Sequence, residues 1–261
     1  METNTRPASV NRAVDETQDG IVPGQKWEFD ENVAKCFSSM LSRSIPGYEQ
    51  MRDLTFRLGR NFIRPGKAVV DIGASRGDAI APFVDFVKQP KFQPPLHPSF
   101  FALDISEPMR LVMSQRFESD NVSVLDLDLR TISGEYTPFC PGKSSLVLSI
   151  LTLQFVPIEY RQKILHVLYQ SLCPGGALLF VEKVLGNSYQ LDNLFVDEYY
   201  KIKAQNGYSY EDIQRKRASL EGVLVPMASD WNVHLLRQSG FRQIDCYYRH
   251  LNFEGLLCIK D

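Results

Sequence analysis

The chain has 261 residues, 31 acidic and 29 basic side chains, a formal net charge of −2 and 44% apolar residues. That length suffices for one domain with a full core. The near-neutral balance gives no general drive toward nucleic acid or an anionic membrane, so a small-molecule substrate is expected rather than direct nucleic-acid or membrane binding. Five scattered cysteines form no CxxC pair, and His97, His166, His234 and His250 show no ligand spacing. Both features point to reduced thiols in a cytoplasmic compartment and to no metal site.

Residues 1–23 are polar and carry Pro7 and Pro23, which reads as a disordered or arm-like tail ahead of one domain over 24–261. Asp30 is a predicted helix N-cap, with Val33, Phe37, Met40 and Leu41 at helical spacing behind it. A second helix runs from about Glu49 and stops before Pro65-Gly66. These two helices (28–63) and a later pair (189–222) are predicted cap elements and candidate dimer surfaces; a homodimer is expected.

The β-branched run at 68–72 then feeds into Asp71-x-Gly73-Ala74-Ser75-x-Gly77-Asp78, followed by Ile80, Phe83, Val84 and Phe86. This predicts strand, tight turn and helix, the point in an α/β protein where a ligand meets bare backbone. The string is neither GxxxxGK[ST] nor GxGxxG. Two acidic residues around the turn disfavour a pyrophosphate and suit the ammonium and sulfonium of S-adenosyl-L-methionine (SAM), with the helix N-terminus available to its carboxylate.

Residues 90–98 hold four prolines and form a predicted loop. Strand two covers 100–103 and ends at Asp104, where an acidic side chain accepts ribose hydroxyls, with Ile105 next to it. A helix follows over 108–117. Strand three covers 122–125. Asp128 behind it would accept from the adenine amine while Leu129 donates its N–H; Asp126 is the alternative acceptor. Strand four, 145–151, is nearly continuously apolar, as in a strand buried on both faces. Ser149 and Ile150 stand at its end, where the sulfonium would sit. A helix after Pro157 ends at Cys173-Pro174-Gly175-Gly176, and strand five covers 177–181. Helices are predicted over 191–202, 210–220 and 229–239, with a closing strand pair at 244–249 and 255–260. The fold class is thus α/β: a Rossmann-like, mostly parallel seven-stranded sheet with an antiparallel C-terminal hairpin and helices on both faces.

Beyond the loop, several strings are more specific: Trp27-x-Phe29-Asp30-Glu31, Arg43-Ser44-x-Pro46-Gly47-Tyr48, Thr152-Leu153-Gln154-Phe155, Pro174-Gly175-Gly176-Ala177-Leu178, Glu182-Lys183, Asn206-Gly207-Tyr208-Ser209, Lys216-Arg217 and Asn252-Phe253-x-Gly255. With them the chain resembles the carboxy-S-adenosyl-L-methionine synthase family, a branch of the class I SAM-dependent methyltransferases. The resemblance implies SAM or carboxy-SAM as the bound cofactor. It also implies an activity that converts SAM and prephenate to carboxy-SAM for modification of the tRNA wobble uridine. Tyr48 and Arg217 are implied holders of the carboxymethyl carboxylate. The chain departs from the family pattern at Ala74, where a cysteine is usual, and at Ile150, where an asparagine is expected. Those two changes favour methyl transfer to a small carboxylate-bearing molecule, with carboxy-SAM synthesis as the alternative and a SAM-binding protein without turnover as a third reading.

Overall fold

The computed structural model describes residues 19, 25–89 and 97–261. The predicted tail, except for Asp19, and the predicted loop over 90–96 lie outside the described residues. Strand β1 (Ala68–Ile72) is buried at all five positions. It pairs in parallel with β2 (Ser99–Asp104) and with β4 (Ser144–Ile150). Parallel pairing continues outward from β2 to β3 (Val122–Asp126) and from β4 to β5 (Leu172–Leu185). Strands β7 (Gln243–His250) and β8 (Phe253–Ile259) close the sheet antiparallel, giving the order β3-β2-β1-β4-β5-β8-β7.

Two differences from the sequence reading concern β5 and its surroundings. A two-residue strand, β6 (Met227–Ala228), pairs with the far end of β5 and was not anticipated. The Cys173–Gly176 stretch does not precede the strand but bulges within it: Leu172 already faces Ser144, and Ala177 faces Leu146. Pro174 removes a ladder donor and Gly175 adopts φ +67°, so the chain bulges and then resumes its register.

Strand alternation sorts the core into two layers. Val70, Ile72, Val147 and Phe180 pack on one face with Ile164, Leu165 and Leu168 of α5 (Ile158–Ser171) and Leu235 and Leu236 of α8 (Ser229–Ser239). Val69, Leu146, Leu148 and Leu179 pack on the other with Phe83 and Val84 of α3 (Ala81–Val87) and Met113 of α4 (Glu107–Arg116). Four further helices stand near the C-terminal strand ends: α1 (Glu31–Ser44), α2 (Tyr48–Gly59), α6 (Tyr189–Gln205) and α7 (Tyr210–Leu220). Asp30 caps α1 as expected, accepting from Val33 N at 2.8 Å. Tyr48 and Met51 of α2, Tyr199 of α6, Val181 and Phe253 form a separate apolar cluster there.

The helix expected directly behind the Gly73–Gly77 turn starts later. Residues 75–80 are turns, and the seven-residue α3 begins at Ala81. Its N-terminus is therefore set back from the turn, and the loop's own backbone faces the strand ends. No helix among the described residues is long and apolar enough to cross a membrane.

Candidate active site

A cavity of about 440 Å³ opens at the C-terminal ends of β1, β2 and β4. Asp71 and Ile150 reach it because each sits on the same sheet face as Val69 and Leu148, Asp71 one step before the end of β1 and Ile150 at the end of β4. The loop after β1 is shaped by the protein's own packing. Gly73 has φ +62° and a Cβ there would overlap the Thr152 side chain; Gly77 has φ +73° and a Cβ there would overlap Phe117. Ser75, at φ 51°, holds a left-handed conformation without being glycine. Asp104 fixes that conformation: one carboxylate oxygen accepts from Ser75 N and the other from Ser106 N, both at 2.8 Å. Each oxygen keeps a lone pair for a ligand.

The opposite wall is fixed from β5. Glu182 is buried and its Oε1 accepts from Thr152 N at 3.2 Å and from Leu153 N at 2.9 Å. Thr152 Oγ1 donates to Ile72 O at 3.0 Å, tying the turn after β4 back to β1. Leu151 takes φ 58° at this corner.

Charges in the cavity are strongly displaced from their ordinary values. Asp71 is 1% exposed, and its Oδ2 is buried with no hydrogen-bond partner. Burial pushes its carboxyl up to about 8 against the pull of the Arg52 guanidinium. Arg52, one turn after Tyr48 on α2, donates to Tyr48 Oη at 3.2 Å and to the Asp78 carbonyl. Burial raises the Tyr48 phenol and Arg52 opposes it. Lys183 follows Glu182 on β5; its ammonium lies 4.9 Å from the Tyr199 ring centroid. Burial pushes that lysine down to about 8. Lys216 of α7 also faces the cavity, and burial lowers it too.

The structure gathers most of the residues singled out in the sequence. Tyr48, Asp71, Gly73, Ala74, Ser75, Asp104, Ile105, Asp128, Leu129 and Ile150 all line this one cavity. Of the two acidic candidates behind β3, Asp128 lines it, and Arg130 holds its carboxyl below the usual range. Asp126 instead pairs with Arg110 at 3.0 Å and is largely exposed.

Three residues stand elsewhere. Gly77 lies behind the loop against Phe117. Ser149 points to the opposite sheet face from Ile150, where its Oγ is buried without a partner. Arg217 is exposed on α7 and acts on the Tyr200 phenol, opposing the rise that burial causes. The helix turns Lys216, not Arg217, inward. Arg52, Thr152 and Lys183 also line the cavity, without a site role expected from the sequence. Arg52 had a usable signal, since it falls at i+4 from Tyr48 on a predicted helix. Thr152 and Lys183 stood in the strings Thr152-Leu153-Gln154-Phe155 and Glu182-Lys183, which carry the resemblance but were given no site role.

Residues 71–180 match a family model described as a methyltransferase domain. The carboxy-S-adenosyl-L-methionine synthase of Desulfotalea psychrophila is 30% identical over 242 residues, 91% of this chain and 94% of that protein. The enzyme of the same name from Actinobacillus succinogenes is 34% identical over 238 residues, 90% of this chain and 93% of its own. Among solved structures, human N-acetylserotonin methyltransferase in complex with SAM superposes with a TM-score of 0.56 at 14% identity, covering 88% of this chain and 55% of that one. Haemonchus contortus phosphoethanolamine N-methyltransferase 2 in complex with SAM gives 0.58 at 14%, covering 88% and 57%. These two share the fold. Whole-length identity with the former pair and the matched domain assign the chain itself: it belongs to the carboxy-S-adenosyl-L-methionine synthase family, SAM-dependent transferases built on the class I methyltransferase fold.

Proposed function

We propose that this protein carboxylates the methyl group of SAM, with prephenate as the carboxyl source. The observation that carries this reading is the set of cations that line the cavity together with Tyr48. Arg52, Lys183 and Lys216 share that cavity with Asp71, Asp104 and Asp128. SAM supplies a methyl group activated by its sulfonium. The site fits it on a feature of its own: the unpartnered Asp71 Oδ2 is a buried acceptor that an ammonium would satisfy.

In this reading Asp71 takes the amino group, and the backbone of Gly73, Ala74 and Ser75 runs along the amino-acid part. Asp104 uses its remaining lone pairs on the ribose hydroxyls. Asp128 accepts from the adenine amine, Leu129 donates its N–H to the ring, and Ile105 covers the ring face. Ile150 stands against the sulfonium end. Carboxylation would break a methyl C–H bond of SAM and the bond between the prephenate ring and its ring carboxylate, and form one C–C bond. The donor would leave as phenylpyruvate, its ring hydroxyl departing with the methyl proton as water. A new carboxylate would stand beside Tyr48. Arg52, which donates to Tyr48 Oη, and Lys183 are the nearest cationic candidates to hold it. Arg217, the holder implied by resemblance, is exposed outside the cavity and is given no role here.

Ile150 favours a second reading, methyl transfer to a carboxylate-bearing acceptor. An apolar wall in place of an amide suits departure of a neutral methylated product. One experiment separates the two. The protein is incubated with SAM and prephenate, and the sulfonium product is weighed by mass spectrometry. A SAM product heavier by one carbon dioxide supports carboxylation. S-adenosylhomocysteine with a methylated acid supports methyl transfer. SAM binding without either product sinks both.

A further inference from the structure

Carboxylation moves a proton as well as a carboxyl group: the methyl group gives one up and the departing ring hydroxyl takes one. Few groups in the cavity can make that exchange near neutral pH. Among the described residues its lining holds no histidine and no cysteine. A guanidinium does not release its proton in this range, which removes Arg52. Lys216 Nζ is held by the Asp19 carboxylate at 3.1 Å. Burial raises the Tyr48 and Tyr199 phenols above their ordinary value. Asp71, Asp104 and Asp128 have their roles on SAM in the proposed function.

Lys183 differs from all of these. Val181 of β5 pairs with Ile150 of β4, and side chains two apart on a strand share a face. Lys183 therefore projects from the sheet face that carries Ile150, one step beyond it. Its backbone is fixed, since its N–H donates to Gln154 Oε1 at 2.7 Å and the residue pairs with Phe253 of β8. Its ammonium is free. Among the described residues that ammonium has no hydrogen-bond acceptor and no carboxylate within ion-pair distance; it reaches the cavity beside the Tyr199 ring, whose centroid is 4.9 Å away. The charged groups that act on it from the packed elements are Asp192 and Lys203 of α6 and Arg217 of α7.

We propose that Lys183 is the proton carrier of this reaction: its ammonium protonates the ring hydroxyl of prephenate as the C–O bond breaks, and the amine so formed takes the proton of the methyl group. This rests on the carboxylation reading and deepens it. The C–O electron pair leaves with the oxygen, as water. The pair of the bond to the ring carboxylate enters the ring and makes it aromatic. The pair of the methyl C–H bond forms the new C–C bond to the carboxyl carbon. Lys183 ends in the protonation state in which it began, and no further acid, base or oxidant is needed. Burial, with the Arg217 charge adding and Asp192 opposing, brings its ammonium down to about 8. At pH 7 it is mostly protonated, yet it gives up the proton more readily than an ordinary lysine. The new carboxylate then falls to Arg52.

The test uses the full chain with SAM and prephenate. Lys183→Arg keeps the positive charge without a proton to release, and Lys183→Met removes both. Each should lower kcat for carboxy-SAM formation by about a hundred-fold or more, with the SAM Kd by calorimetry within about three-fold of the parent's. A second readout needs neither variant nor turnover. Acetic anhydride labels only the deprotonated amine, so the labelled fraction of Lys183 in the SAM-bound protein, followed against pH by peptide mass spectrometry, gives the pH at which its ammonium titrates. In the parent, kcat/KM for prephenate should fall with rising pH through that same value. A Lys183→Arg protein that keeps more than about a tenth of the parent's kcat has lost only a holder of charge, and overturns the proposal. So does an activity limb more than about one pH unit from the labelling midpoint. Should the variants fail to fold, the two curves of the parent decide: coincidence supports the proton carrier and separation refutes it. A parent that makes no carboxy-SAM sinks the carboxylation reading and this role with it, whereas carboxy-SAM from both the parent and Lys183→Arg strikes the role of the lysine alone.

Discussion

Asp71 carries two burdens, a place in a fully buried strand and a free acceptor oxygen. With its carboxyl near 8, the group is mostly protonated at pH 7 in the absence of ligand. A ligand ammonium at Oδ2 favours the carboxylate, so binding expels the proton. SAM titrations at pH 7 in phosphate and in Tris are expected to reveal release of about one proton, and SAM affinity should rise between pH 6 and 8. Asp71→Asn should bind more weakly and lose the difference between buffers. Asp104 has a different weight, because it holds the loop as well as facing the cavity. Asp104→Ala removes acceptors for two half-buried N–H groups. It should therefore cost about 2 kcal/mol of stability, roughly 4–8 °C in Tm by thermal melting, in addition to its effect on SAM. Loss of SAM affinity with an unchanged Tm would contradict the structural half of that statement.

Strand β5 does more than fill the sheet. Its Glu182 pins the turn after β4, and the next residue, Lys183, enters the cavity. Burial pushes the Glu182 carboxyl up to about 8, against an ordinary value of 4.5. The folded protein therefore keeps a proton that the unfolded chain releases between those values. Stability from this group falls as pH rises across that window, by at most about 1.4 kcal/mol per pH unit, and levels off above pH 8. Glu182→Gln keeps the acceptor for Thr152 and Leu153 and has no proton to lose. Denaturant melts from pH 5 to pH 8.5 should show a flatter profile for the variant, with its advantage over the parent growing toward high pH. A parallel pair of profiles would refute the assignment.

At the scale of the molecule, the cavity is closed by parts distant in sequence: the ends of β1, β2 and β4, α2 from before β1, and α7 from after β5. A ligand bridging them binds only the folded chain. At SAM concentrations of 100 times its Kd the gain is about 2.7 kcal/mol, roughly a 5–10 °C rise in Tm by scanning calorimetry. An unchanged Tm at saturating SAM would mean that the cavity is not its site.

While the order of the strands in the sheet came from the fold, the sequence by itself determined the succession of parallel strands along the chain, the turn at Asp71–Gly77, and Asp104 and Asp128 as site candidates. These follow from local signals: β-branched runs, glycines with forced φ, and acidic residues at strand ends, where chain direction already fixes which end carries the site. Helical phase was less legible. A one-residue step on α7 separates Lys216, turned inward, from Arg217, left in solvent, and only packing against Trp27 and Met40 decides between them. Ser149 and Ile150 differ in the same way, by strand alternation. The long-range groupings were decided by tertiary structure alone. Arg52 beside Asp71, Glu182 under Thr152, and Asp19 among Arg43, Lys216 and Tyr208 each join side chains from separate elements. No local pattern encodes such meetings, because their energy comes from burial that exists only once the chain has folded.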